Sequence, residues 1–280
     1  MMAGFKDLLV VLDTAKSCAA RIDVATGLAG RFGAHLTGLY VSPPPQVPAM
    51  IESQLTPELV ELQMRTLNEA TGRVQELFRR RAEVPGLNTE WRAREGEAGE
   101  VATLHSRYAD VAIVGQADPE AAPLGSTSDL PERIVLGSGR PVLVVPYVGT
   151  FKTLGERILV AWNASREATR AVSDALPLLE TASKVTVLAI NPRGGLRGHG
   201  EVPGADIALH FARHGVRAEA SSLKSDDVEV GALLLSQAAD LDADLIVMGA
   251  YGHSRLRELM LGGATREILR TMTVPVFMAH

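Results

Sequence analysis

Ala243-Asp-Leu-Ile-Val-Met-Gly249, Ala-Tyr-Gly252, nine further residues, Gly262-Gly263-Ala264-Thr265 and Arg-Glu-Ile-Leu-Arg form the run whose reading decides the fold. Leu245 to Met248 is continuously apolar and bounded by glycine, which predicts a buried strand. The segment 265–271 reads as a helix with Ile268 and Leu269 facing inward. A glycine-rich loop therefore leaves a strand and enters a helix. Glycine admits positive φ and close approach, so successive N–H groups can converge on an anion where the helix dipole also favours negative charge. That arrangement is a phosphate cradle; the competing reading is a tight strand-to-helix connection with no ligand.

Composition sets the frame. With 280 residues, 46 % of them hydrophobic, the chain can bury two cores of ordinary size. A formal charge of −5 gives no electrostatic support for nucleic-acid binding. The lone cysteine, Cys18, excludes an intramolecular disulfide, and it reads as a small packed residue rather than a nucleophile. No charged segment followed by an apolar core opens the sequence, and no run approaches the roughly 20 apolar residues of a membrane span. A cytoplasmic protein with no membrane or nucleic-acid partner is expected.

The chain repeats itself. Leu8-Leu-Val-Val-Leu-Asp13 precedes a helical stretch, 15–32, with Gly33 as its stop; Ile158-Leu-Val-Ala-Trp-Asn163 precedes another, 166–179. Leu36-Thr-Gly-Leu-Tyr-Val41 matches Val185-Thr-Val-Leu-Ala-Ile190. Third strands are expected near 88–94 and 216–223, fourth strands at 109–115 and 243–249, and fifth strands at 141–145 and 275–279. The first strands are offset by 150 residues, the fourth and fifth by 134, so the first copy carries extra residues between them. These fall in 43–85, where a proline-rich loop leads into a long helical pattern, 57–81, with Leu59, Leu62, Leu67, Val74, Leu77 and Phe78 spaced for one face. Strands alternating with helices imply α/β architecture, parallel sheets and right-handed crossovers, with ligands beyond the carboxyl ends of the strands. Two domains, 1–150 and 151–280, follow.

Constant 134-residue offsets allow the two glycine loops to be compared without a gap. Gly115 matches Gly249, but Asp118 stands at the place of Gly252, Ser128 at Gly262 and Asp129 at Gly263. Two carboxylates facing a phosphate would repel it, a like charge at about 4 Å costing about 4 kcal/mol at an effective dielectric near 20. Equally, these aspartates suit a loop or helix start. Either way the first copy is not expected to hold a nucleotide.

The pattern Gly249-x2-Gly252-x9-Gly262 behind a DLIVMG strand resembles the ATP-binding signature of the universal stress protein family, and differs in spacing from the P-loop and dinucleotide motifs. The resemblance covers nearly the whole chain as a tandem pair. It implies two doubly wound domains, each a five-stranded parallel sheet of order 3-2-1-4-5, with the fifth strands pairing across a pseudo-dyad, and an intramolecular pseudo-dimer that can also form a homodimer. It further implies ATP, or AMP or ADP, as ligand in the second domain, with Mg as its counter-ion. The residues it carries over are Ala161, Trp162 and Met248 lining the pocket, Asn163 at the ribose, the Ile190 backbone at the adenine, and Gly249, Gly252, Gly262, Gly263, Ala264 and Thr265 around the phosphates; His253, directly after Gly252, joins them from its position rather than from the resemblance. Two departures stand out. The family has Ser or Thr where this chain has Gly263, leaving Thr265 as a partial replacement. An acidic residue after the first strand is replaced by Asn163 in the second copy and kept as Asp13 in the first. Asn retains a hydrogen bond but loses charge assistance, so weaker binding is expected.

Other candidates carry less. Trp162 reads first as a packing residue, with stacking on adenine as the alternative. His253, Arg255, Arg257 and Arg266 could neutralise phosphate, or simply lie solvated. His210 and His214 have i, i+4 spacing, yet no further ligand completes a metal set. No acid/base pair or Walker-type lysine is evident, so regulation in stress response by nucleotide-dependent population shift is expected, with at most slow ATP hydrolysis. A slow ATP-hydrolysing enzyme and a nucleotide-free interaction scaffold with a protein partner are the alternatives.

Overall fold

The computed structural model describes residues 4–44, 57–119, 128–192, 203–225, 227–252 and 263–280. The chain divides into two compact units, Phe5–Ser138 and Gly139–His280, with Met1–Gly4 assigned to the latter.

In the first unit β1 (Asp7–Leu12), β2 (His35–Ser42), β3 (Thr89–Glu95) and β4 (Val111–Gly115) alternate with α1 (Cys18–Phe32), α2 (Pro57–Ala82), α3 (Ala98–Ser106) and α4 (Leu130–Ser138). The strands are parallel in the order β3-β2-β1-β4. Leu8 to Leu12 are 0–2 % exposed, as continuous apolar strands covered on both faces must be. Helix α1 packs on α2 and α3 on α4, giving the two helical layers of a doubly wound sheet. Gly33 ends α1 in the left-handed conformation at φ 61°, its N–H closing on Ala29 and Gly30.

The second unit holds β5 (Val142–Val145), β6 (Arg157–Ala161), β7 (Lys184–Ile190), β8 (Ala218–Leu223), β9 (Leu245–Gly249) and β10 (Val276–Ala279), with α5 (Arg166–Leu179), α6 (Ala205–Arg213), α7 (Val230–Asp240) and α8 (Gly263–Thr271). Its parallel order β8-β7-β6-β9-β10 is the 3-2-1-4-5 order implied by the resemblance. β5, last strand of the first sequence copy, lies antiparallel along β10, with Val144 opposite Val276 and Val142 opposite Met278. The fifth strands therefore do pair with each other.

Several boundaries differ from the sequence reading. Helix α1 starts at Cys18 rather than 15, because the Asp13 carboxylate accepts the Ala15 N–H at 2.9 Å and holds the chain in a turn. α8 starts at Gly263, two residues before the expected Thr265. The third strands start later than expected, at Thr89 and Ala218. α2 accounts for the extra residues of the first copy, at 26 residues against 9 in α6. Its buried face is Ala70, Val74 and Phe78; Leu62, expected on that face, is 60 % exposed. The helix reaches the sheet because Gly38 of β2 has no side chain, a Cβ there lying 2.8 Å from the Phe78 ring.

Candidate functional site

Parallel register brings the expected residues of the second unit to one edge. Ala161 lies beside Leu188 and Met248 at the carboxyl ends of β6, β7 and β9. Met248 is buried, and Ala161 and Trp162 are half-buried. The Trp162 N–H donates to the Leu188 carbonyl at 2.9 Å, carrying the chain past β6. Asn163 is exposed and accepts the Ser165 N–H at 3.1 Å through its side-chain carbonyl. That oxygen is already engaged, leaving one lone pair and the amide hydrogens for a ligand. Ile190 is half-buried. The next residue, Asn191, is pinned to Ser225 by two hydrogen bonds of 2.8 and 2.9 Å.

At the end of β9, the glycine positions have identifiable neighbours. A Cβ on Gly249 would lie 2.4 Å from the Ala168 nitrogen and 2.6 Å from the Glu167 carbonyl carbon, so α5 rests against this backbone. Close approach of helix and strand therefore requires Gly249, whether or not a ligand binds. A Cβ on Gly252 would meet the Glu167 carboxylate at 2.9 Å and the Ser165 hydroxyl at 3.4 Å. Gly263 is exposed and Ala264 half-buried. Thr265 is 4 % exposed, and its hydroxyl oxygen accepts the Tyr251 N–H at 3.2 Å, tying the first turn of α8 to the start of the loop. His253, Arg255, Arg257 and Gly262 lie outside the described residues; Arg266 is exposed on α8.

Glu167 is the site residue the sequence reading missed. It sits in the first turn of α5, where an acid complements the helix dipole, and its side chain is only 12 % exposed. Burial pushes its pKa up, but hydrogen bonds from its own N–H and from Ser165, with the charges of Arg166 and His280, outweigh this and hold it below the usual value. It is therefore ionised at neutral pH. His280 lies against the same loop, its Nδ1 being 3.0 Å from the Ala250 carbonyl oxygen.

The same edge of the first unit is filled differently. Asp13 and Ala15 reproduce the turn made by Asn163 and Ser165. Arg21, which aligns with Ala171 at the 150-residue offset, reaches across the edge and is 2 % exposed. It donates to the Val11 carbonyl at 2.7 Å and to the Asp13 carboxylate at 2.8 Å. A Cβ on Gly115 would lie 2.8 Å from its guanidinium carbon. Burial opposes the charge on Arg21, but Asp13 more than offsets it. The place beside the first glycine is thus occupied by the protein's own cation. The sequence signal was available, since Arg21 falls three residues after Cys18 on the helix face that also buries Ile22 and Ala25. Asp129, read as facing a phosphate or starting a helix, immediately precedes α4 and lies 3.6 Å from Arg133.

The remaining candidates separate from this edge. His210 and His214 have ring centroids 4.6 Å apart on and just beyond α6, and no group of three potential metal ligands exists among the described residues. Cys18 is buried, and burial raises its thiol pKa, so it is a packed residue. No described helix is long and apolar enough to cross a membrane.

Comparisons agree with this architecture. The model of the universal stress protein family matches residues 4–146 and again 155–280. A universal stress protein from Archaeoglobus fulgidus is similar in structure with a TM-score of 0.70 at 16 % identity, over 97 % of both chains. A functionally unknown protein from Pseudomonas aeruginosa PAO1 gives 0.57 at 15 % identity, over 98 % of this chain and 92 % of its own. A curated universal stress protein from Synechocystis is 52 % identical over 33 residues, which is 12 % of each chain. Two family matches in succession, laid on two doubly wound units, make this chain a tandem member of the universal stress protein family.

Proposed function

We propose that the protein binds ATP, or a related adenine nucleotide, in its second domain and acts in stress response as a nucleotide-linked regulator in the cytoplasm. The two domains are taken as 1–150 and 151–280. The carrying observation is the difference between the two strand edges. In the second, Ala161 and Met248 stand together beside a glycine segment that enters α8, with no buried cation across it among the described residues. In the first, the Asp13–Arg21 pair fills that place.

Residues at the second edge fit the group chemically. Ala161, Trp162 and Met248 offer apolar surface for a base, the Ile190 backbone and the Asn163 side chain polar contacts for the nucleoside, and Gly249, Gly252, Gly263, Ala264 and Thr265 backbone and hydroxyl contacts for phosphate, joined by His253 and Gly262. A bound nucleotide supplies charge and binding energy rather than a reactive centre. It shifts a conformational equilibrium only by its different affinity for two states. The first domain then serves as structural partner or interaction surface.

A nucleotide-free scaffold is the second reading, favoured by the packing of α5 on Gly249, where a Cβ would lie 2.4 Å from the Ala168 nitrogen, which explains that glycine by packing alone. Calorimetry separates the two. Titrating ATP, ADP, AMP and adenosine into the wild type and Gly252→Asp should show binding in the wild type and its loss in the variant. Absence of binding for every ligand in the wild type would leave the scaffold reading. Release of phosphate well above background, with binding intact, would instead make the protein a slow ATP-hydrolysing enzyme.

A further inference from the structure

Glu167 has a position that helix capping alone does not require. An acid in the first turn of a helix normally gains its dipole interaction while remaining in water. Here the side chain is largely withdrawn from solvent, and its carboxylate stands against Gly252, 2.9 Å from the point where a Cβ would be. The Ser165 hydroxyl, which accepts the Ala168 N–H at 3.1 Å, stands beside it over the same glycine, 3.4 Å from the Gly252 Cβ position. The Arg166 guanidinium is 3.4 Å away, but its side chain is 80 % exposed, where solvent and salt screen it.

A phosphate group received by the backbone of Gly252 would therefore meet a fixed carboxylate within a few ångströms. A divalent cation reverses the sign of that contact. Mg²⁺ keeps several waters and is commonly held between substrate phosphates and only one or two protein carboxylates. We propose that Glu167 is the specificity-determining residue of the second-domain site, selecting nucleotides whose phosphates carry a divalent cation over the same nucleotides metal-free. This inference rests on the nucleotide reading given above and adds to it a residue, a ligand charge state and a direction.

The test is equilibrium binding by calorimetry, with ATP in excess Mg²⁺, ATP in chelator, and adenosine as a ligand without phosphate. In the wild type, removing Mg²⁺ should weaken ATP binding about ten-fold or more, the effect of one partly screened like charge near a phosphate. In Glu167→Gln that ratio should fall towards one, mainly because metal-free ATP binds more tightly, while adenosine affinity stays unchanged. Glu167→Ala should behave the same way, and thermal melting of both variants verifies that they fold. A ratio that survives both substitutions while ATP still binds would overturn the role of Glu167 and leave the nucleotide site standing. An equal change in adenosine affinity would also overturn it, since the side chain would then be shaping the pocket. Failure of the wild type to bind either ligand would instead reject the nucleotide reading, and this inference with it.

Discussion

The carboxyl edges of the two sheets share a scaffold and differ in what stands over the glycine. In the first unit Asp13 turns the chain after β1, and Arg21 lies over Gly115, paired with Asp13 in the interior. In the second, Asn163 makes the same turn, Ala171 replaces the arginine, and Glu167 approaches the loop from the start of α5. Duplicated folds thus conserve the backbone device, a strand followed by an Asx turn and a helix, while side chains decide whether the edge is closed. The first edge is closed by an internal ion pair; the second carries one carboxylate, 12 % exposed, against the glycine loop.

The largest effect is expected from breaking the first edge. Arg21→Ala gives that helix the residue of the second copy and strands Asp13 without its cation. Loss of one partner of a buried pair costs about 3–5 kcal/mol, whereas replacing both by apolar residues of similar volume is often neutral. Urea denaturation should show severe destabilisation in Arg21→Ala and substantial recovery in Arg21→Met with Asp13→Leu. Comparable losses in both variants would mean that the pair contributes specific attraction beyond mutual neutralisation.

Next come the first two glycines of the second-domain loop. Gly249→Ala forces a methyl against the backbone of α5, which cannot move alone, so about 1–3 kcal/mol should be lost through overpacking. Gly252→Ala meets only the far end of the Glu167 side chain and should cost less. Thermal melts of the two variants rank them. The reverse order would show that α5 adjusts more readily than the loop.

A smaller contrast lies at the helix starts. Glu97 caps α3 by accepting the Gly99 and Glu100 N–H groups at 3.0 and 2.8 Å, and Arg133 adds a 2.6 Å ion pair; Glu229, at the start of α7, makes no side-chain cap. Burial pushes the Glu97 pKa up, but those bonds hold it below the usual value. A depressed folded pKa gives stability that is present above the unfolded pKa, near 4.3, and is lost as pH falls through the folded value. Glu97→Ala should cost about 1 kcal/mol at pH 7 and flatten the acid limb of the stability profile below about pH 5. Glu229→Ala should change little in the same denaturation series.

Much of the fold was legible because parallel strands buried on both faces are continuous apolar runs. The offsets of 150 and 134 reappear in the observed starts of β1 and β6, β4 and β9, and β5 and β10. Strand register then placed Ala161 beside Met248. What escaped were charged residues whose role is tertiary. Arg21 shares the buried face of α1 with Cys18 and Ile22, which spacing could have flagged, but its place over Gly115, like that of Glu167 against Gly252, shows only in the tertiary structure. Leu62 failed for the opposite reason: helical spacing identifies a face, but not how far along a 26-residue helix the sheet extends beneath it.

The most direct test of the asymmetry is the stoichiometry of adenine nucleotide released on denaturing protein purified without added nucleotide, measured by mass spectrometry alongside Gly252→Asp and Arg21→Ala. One nucleotide per chain in the wild type and Arg21→Ala, and none in Gly252→Asp, is the predicted result. Two per chain, or one that survives Gly252→Asp, would contradict the assignment of a single site to the second domain.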